Sequence, residues 1–342
     1  MTVLSEEVLG RSVVARLAVR EKALERRMVR SLDRVEERLL ACVGEASGPL
    51  LADVVGHLVT AGGKRIRPLL TLLGAEFGDP GAPGVIEAAA VSELIHTASL
   101  HHDDVMDEAV IRHGVPSVNA CWGNTVAVQS GNWLLTKAAQ MAAGLTSEAV
   151  PLQAEASERL VRGQLRELVG PTRPQDRLPH YFEVASDKSA SLLSFALRLG
   201  AFQAGAPRGV DEALAQYGEH LGVAFQISDD LLDITAPSAQ LGKEQGKDLA
   251  VGVAGLPVLL LLDAGHARDA ELRALLNRPA GLEGAERDRA LELLQRSEAM
   301  DHARAIMEGR LSAARAALAA LPRGAARRAL DALCGVVAAR TA

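Results

Sequence analysis

The chain has 342 residues, enough for one large domain or two smaller ones, and its 48% apolar but only 3% aromatic content leaves Leu, Val and Ala to fill the core. A formal charge of -6 without a basic stripe argues against a nucleic-acid binder, and Cys42, Cys121 and Cys334 lack disulfide or metal spacing, as expected of a reducing cytoplasm. Glu6 and Glu7 interrupt any apolar leader, and the run Leu249 to Leu262 contains Gly and Pro and is shorter than the ~20 residues of a membrane span, so no integral membrane segment is expected.

From about Glu6 to Val43, Leu17, Leu24, Met28, Leu32, Val35 and Leu39 keep one apolar face of a helix, with Arg and Glu filling the other. Ser47, Gly48 and Pro49 break it, and another helix leads into Gly62, Gly63, Lys64, Arg65, Ile66, Arg67 and Pro68. There the two glycines let the backbone approach a ligand, and three cations in four residues make a compact anion site at a helix start. Lys64 and Arg67, three apart, face one way. A basic turn is commonly surface decoration and gains meaning only from partners.

Its partners follow the Gly- and Pro-rich loop Gly78 to Gly84. The stretch Val91 to Gly114 reads as an apolar helix ending in Asp103, Asp104 and Asp107. At 3.6 residues per turn Asp103 and Asp107 project from one face with Asp104 beside them, and His96, Leu100 or Ser99, Asp103 and Asp107 form a stripe. His101 and His102 adjoin the acids, but consecutive histidines diverge on a helix, and no thiolate spacing supports zinc. An uncharged segment with Trp122, Gly131, Asn132 and Trp133 follows. Near Tyr181 a helix carries Asp187, Lys188, Ser189 and Ala190, where a lone lysine is ordinarily a surface residue.

Gly222 to Asp233 repeats the acidic device: Gln226, Asp230 and Asp233 share a stripe, with Asp229 completing a second Asp-Asp-x-x-Asp. Close-packed acids repel unless a cation bridges them, and oxygen-only donors suit Mg²⁺, which takes one or two carboxylates plus substrate phosphates. For one such motif a solvated helix end is the better reading; two copies on otherwise uncharged segments point to a metal-diphosphate site, with the basic turn as its complement. The loop Leu241 to Leu249, with its glycines and lysines, suits a phosphate-contacting lid, although a solvated connector looks similar. From Asp263 onward the chain is Ala-, Leu-, Arg- and Glu-rich scaffold: Ile306, Met307, Leu311, Leu318 and Leu321 keep a helical face, and Pro322 and Gly324 set off a last helix. With no strand alternation, the expected fold is all-α: a single-domain helical bundle over residues 1–342 with a central active-site cavity, comprising the N-terminal helix, a motif-bearing core at about 50–262 and C-terminal helices from 263.

The segments GGKRIRP, IHTASLHHDDVMDEAVIRHG, DKSASL, GVAFQISDDLLD and LGKEQGKDL, in this order, make the chain resemble the all-trans isoprenyl diphosphate synthases, or polyprenyl synthetases. The resemblance implies an isoprenoid-synthase bundle, a homodimer, that condenses isopentenyl diphosphate with an allylic diphosphate (dimethylallyl, geranyl, farnesyl or geranylgeranyl). It implies that Asp103, Asp107 and Asp229, supported by Asp104, Asp230 and Asp233, hold Mg²⁺, three per active site, on the allylic diphosphate. It further implies that Arg112, Lys188, Ser189, Gln226 and Lys243 contact the allylic substrate, with Lys188 joining the aspartates in catalysis, while Lys64, Arg67, His96 and the position of His113 serve isopentenyl diphosphate.

The chain departs from the family pattern at four places: His113 where a second arginine is usual, Gly252-Val253 where Gly-Lys is usual, Asn132 for Asp, and His101 for an apolar residue. Lys247 is the candidate replacement for the missing lysine. In the family a bulky residue one turn upstream of the first motif stops chain growth; here Ile95, Ala98 and Ser99 are modest, implying geranylgeranyl diphosphate or longer. Two competing readings are a terpene cyclase, which has no use for the Lys64, Arg67 and His96 site, and a partner-dependent, non-catalytic or regulatory subunit of a hetero-oligomeric synthase.

Overall fold

The computed structural model describes residues 21–237, 245–277 and 281–341. Within them it is all-α apart from one two-stranded hairpin, as the Ala- and Leu-rich periodicity requires. The chain divides into two compact units: residues up to Glu158 with Leu192–Gly218 and Ala317–Leu333, and Arg159–Ser191 with Glu219–Ala316 and Cys334 onward.

In the first unit, α1 (Lys22–Gly44) buries Leu24, Met28, Val35, Leu39 and Cys42 on one stripe. Residues 6–20 of the expected first helix lie outside the described residues. Gly48, at φ +92°, and Pro49 at the first helical position start α2 (Pro49–Thr60), and α3 (Ile66–Ala75) follows the basic turn. The centre of the unit is α4 (Val85–Met106), buried continuously from Ala88 to Ile95; small side chains there let neighbours approach from every side. The hairpin pairs Arg112 with Val115 across His113 and Gly114, both at positive φ, the two-residue turn that matches strand twist. Then come α5 (Val118–Trp122), α6 (Asn124–Ala142) and α7 (Ala149–Val169).

Helix α9 (Ser191–Gln203) packs backbone to backbone on α3. A Cβ at Gly200 would sit 1.9 Å from the Thr71 carbonyl oxygen, and one at Gly74 would sit 2.2 Å from that of Leu197. Only glycine fits either place. The buried Tyr217 hydroxyl donates to the Leu330 carbonyl at 2.7 Å, tying in the C-terminal helix of the unit.

In the second unit, α8 (Arg177–Val184) runs into a π-helical turn, Ala185–Ala190. The second acidic motif ends α10 (Val210–Thr235), which belongs to this unit from Glu219; the short α11 (Lys247–Ala250), α12 (Leu256–Ala264), α13 (Ala270–Leu276), α14 (Gly284–Gln295) and α15 (Glu298–Ala317) follow, and α16 (Ala325–Ala339), whose residues up to Leu333 belong to the first unit, is last. The end of α10 is capped from two directions, Gln245 and Gln295 each donating to the Ile234 carbonyl at 2.7 Å.

Candidate active site

The basic turn is shaped by its backbone. Gly62 (φ +88°) and Arg65 (φ +46°) turn the chain sharply into α3. Arg65 leaves the anion site expected of the turn: its buried guanidinium donates to Glu36, to Glu93 at 2.9 Å and to the Val59 carbonyl at 2.7 Å. The three-cation reading is thus corrected to two, because a buried guanidinium is tolerable only when paired, and two carboxylates pair this one. Lys64 stays exposed, while Arg67 is half-buried with its Nε enclosed and without a hydrogen-bond partner. Burial pushes the Arg67 pKa down to about 10, so it remains a cation at neutral pH.

His96 joins this cluster from α4. Burial, and then Arg67, His113, Arg112 and Arg65 around it, hold its imidazole well below the usual histidine range. His96 is therefore a neutral hydrogen-bonding group among cations. The hairpin turn sets the His113 ring over Gly63, 3.5 Å from where a Cβ there would lie. Arg65, Arg67, Arg112 and His113 thus surround His96, with Lys64 exposed next to Gly63 in the chain.

The first acidic motif closes α4. Asp104 is fully buried, and its Oδ1 accepts from Arg112 Nε and Nη2 at 2.7 and 2.5 Å, while Oδ2 is enclosed without a partner. Burial raises the Asp104 pKa and the Arg112 bonds partly offset this. Asp103 is half-buried and Asp107, which caps the helix by donating its N–H to the Asp103 carbonyl at 2.8 Å, is exposed. One turn back, Ile95 and Ala98 are completely buried, whereas Ser99 is half-buried, its hydroxyl donating to the His96 carbonyl at 2.8 Å. His101 is buried on Ser130 at 2.7 Å, and Gly131 lets His102 lie against α6, where a Cβ would come 2.4 Å from the ring.

The second motif divides in a similar way. Asp230 is buried and saturated: Tyr181 donates at 2.6 Å, the Leu256 N–H at 2.9 Å and Gln226 at 3.0 Å. Burial lifts its pKa to about 6 against these bonds. Asp233 is also buried; its carbonyl accepts the Gly246 N–H at 2.8 Å and its carboxylate the Asp248 N–H at 3.2 Å, which fixes the entry to α11. Asp229 is half-exposed and accepts from Arg340 at 2.7 Å, the Arg340 guanidinium also lying 4.7 Å from the Phe225 ring centroid. Ser189 donates to Gln226 at 2.8 Å, so Ser189, Gln226, Asp230 and Tyr181 form one chain of hydrogen bonds. Lys188 pairs with Glu167 at 2.5 Å. Lys243 lies outside the described residues; Lys247 is exposed at the start of α11, and Gly252 and Val253 are exposed beyond its end.

A profile of the family described as polyprenyl synthetase matches residues 48–294. The chain belongs to the polyprenyl synthetase family. Over 305 residues it is 42% identical to the nonaprenyl diphosphate synthase of Mycobacterium tuberculosis, covering 89% of this chain and 91% of that one. It is 35% identical over 294 residues to the heptaprenyl diphosphate synthase component 2 of Geobacillus stearothermophilus, covering 86% and 90%. The solved geranylgeranyl pyrophosphate synthase of Corynebacterium glutamicum, complexed with calcium and isoprenyl diphosphate, aligns with a TM-score of 0.83 at 38% identity over 93% of this chain and 97% of that one. This polyprenyl synthetase is therefore a prenyltransferase that condenses prenyl units, and the expected isoprenoid-synthase helical fold is the fold observed.

Among the described residues no group of three or more His, Cys, Asp or Glu side chains is placed to hold a metal ion. Three acids, Asp103, Asp107 and Asp229, combine an all-oxygen donor with a side chain reaching solvent; Asp104, Asp230 and Asp233 are buried. Tyr181, Asp187 and Arg340 gain their place beside the site residues only from the fold. Tyr181 lies seven residues before Lys188, two helical turns away on one face, a signal that could have found it. No local pattern connects Arg340 with Asp229, which is 111 residues distant.

Proposed function

We propose that this polyprenyl synthetase adds isopentenyl diphosphate to an allylic diphosphate, forming an all-trans product of geranylgeranyl length or longer. The observation that carries the site assignment is the division of its six motif acids into three buried and three solvent-reaching ones. Asp103, Asp107 and Asp229 would hold Mg²⁺, three ions per active site, against the allylic diphosphate, and the ions would supply positive charge to the diphosphate as it leaves. Asp104, Asp230 and Asp233 support the helix ends that carry them.

Lys64 and Arg67 would bind the diphosphate of isopentenyl diphosphate directly, with neutral His96 donating a hydrogen bond and His113 near it. Arg112, Lys188, Ser189, Gln226 and Lys243 would contact the allylic diphosphate. Such fixed donors stabilise charge that develops as the allylic C–O bond breaks. The alkene carbon then forms the new C–C bond, and the proton lost from the adjacent carbon passes to the departing diphosphate. No strong side-chain base is required.

Product length rests on Ile95, Ala98 and Ser99, none bulky enough to stop a growing chain. The uncharged stretch from Val115 to Thr136, with Val126 and Val128 exposed on α6, supports a homodimer joined through that face. Among the described residues no helix is long and apolar enough to cross a membrane, which supports action in the cytoplasm. The likeness to a chain called component 2 favours a second reading, elongation only with a partner chain.

One assay tests both readings. The purified chain is incubated with Mg²⁺, isopentenyl diphosphate and each allylic primer, and the dephosphorylated products are weighed by mass spectrometry. A ladder ending in one linear polyprenol is the expected result. No elongation with any primer would reject the self-sufficient enzyme in favour of the partner-dependent one.

A further inference from the structure

The π-helical turn Ala185–Ala190 carries both Lys188 and Ser189. A π turn is rare and occurs mostly as a single turn inside an α-helix, frequently at a functional site. Here its surroundings are three arginines on α7. The buried Asp187 carboxylate accepts from Arg159 Nε at 3.2 Å, from Arg162 Nε and Nη2 at 2.9 and 3.0 Å, and from Arg166 Nη1 at 2.5 Å. The arginines are spaced three and four apart, so one helical face presents all of them. Between them lies Gly163, where a Cβ would fall 2.8 Å from the Lys188 nitrogen and 2.9 Å from the Asp187 Cβ. The backbone of α7 thus rests directly on the turn.

The clamp extends in both directions. Arg159 donates also to the Ser186 carbonyl at 3.2 Å and to Glu219 at 2.9 Å, and the Ser191 hydroxyl donates to the Asp187 carbonyl at 2.5 Å. Glu183 lies 3.4 Å from Arg166 and Glu167 pairs with Lys188. Four cations (Arg159, Arg162, Arg166 and Lys188) are interlaced with four carboxylates (Asp187, Glu219, Glu183 and Glu167). A buried carboxylate with four charge-assisted bonds fixes its own backbone within a few tenths of an ångström, which is the precision a diphosphate contact needs.

We propose that Asp187 is a positioning residue of the synthase: gripped by Arg159, Arg162 and Arg166, it sets the π turn that aims Lys188 and Ser189 at the allylic diphosphate. This rests on the assignment of Lys188 and Ser189 to that substrate. Asp187 itself touches no substrate; removing its charge moves the turn and leaves three arginines to compete for phosphate in the wrong place.

The test compares Asp187→Asn, Lys188→Ala and the double variant, with farnesyl diphosphate as the allylic probe. KM for farnesyl diphosphate, KM for isopentenyl diphosphate, kcat and melting temperature are measured for each. Asp187→Asn is expected to raise KM for farnesyl diphosphate about tenfold, leave that for isopentenyl diphosphate within twofold, and add nothing to Lys188→Ala in the double variant. Should Asp187→Asn fail to fold, Arg162→Gln, which deletes two of the four bonds at a partly exposed arginine, is expected to show the same one-sided change about threefold. An unchanged farnesyl KM in whichever of the two folds, or equal losses for both substrates, overturns the proposal. A Lys188→Ala variant with wild-type farnesyl KM removes the underlying assignment and the proposal with it, a result distinguishable because it appears without any change at Asp187.

Discussion

At the residue scale the six aspartates are not interchangeable, although the sequence writes them alike. Asp103→Ala is expected to lower kcat by about a hundredfold or more and to raise the Mg²⁺ concentration for half-maximal rate, whereas Asp104→Ala should chiefly lower the melting temperature by freeing Arg112. Mg²⁺ titration and thermal melts of the pair separate the two roles. His101 makes a different kind of prediction. Burial, then the nearby His102 and His57, hold its pKa down at about 4, below the ordinary 6.5. The unfolded chain therefore binds the proton more readily between those values, so stability is full above pH 6.5 and falls as pH drops toward 4. The loss attributable to His101 is about 3 kcal/mol at most, and His101→Leu, restoring the apolar residue usual in the family, should flatten that part of a urea-denaturation pH profile.

At the scale of elements, helix ends and close helix contacts carry the site. Gly200→Ala would force α9 away from α3 by its 1.9 Å clash with a carbonyl oxygen and should cost about 3 kcal/mol, measured by urea unfolding, with no specific effect on either substrate. On α4 the proposed chain-length residues differ in what they tolerate. Ser99 is half-buried, so Ser99→Tyr should shorten the main product by at least one isoprene unit in the mass-spectrometric assay. Ala98 is fully enclosed, so Ala98→Tyr should unfold the chain before it changes the product. All three positions came from the family resemblance, which puts the chain-length residues about one turn upstream of Asp103. Their different freedom was not legible in the sequence, because it depends on which neighbours crowd each face. The same holds for the basic turn: its cations were plain in the sequence, but Arg65 turns inward to Glu36 and Glu93, which are 29 and 28 residues away in the chain.

At the scale of the whole molecule the uncharged face of α6 bears on assembly. Helix α6 bears no charge before Lys137 and exposes Val126 and Val128; a second copy is expected to cover this face, so Val126→Glu with Gln129→Glu should sediment more slowly than the unaltered protein in sedimentation velocity. Unchanged sedimentation would reject this face as the interface. The sequence by itself determined the helical class, the two acidic motifs, the basic turn and the family, since each is carried by periodicity or by residues close in the chain. Only tertiary structure decided that Asp104 and Asp230 are buried anchors, that Tyr181 holds Asp230, that Arg340 reaches Asp229, and that three arginines close on Asp187. Local spacing fixes which side chains share a helix face; burial and long-range pairing, which set how strongly a carboxylate is desolvated and what neutralises it, arise only when distant helices pack.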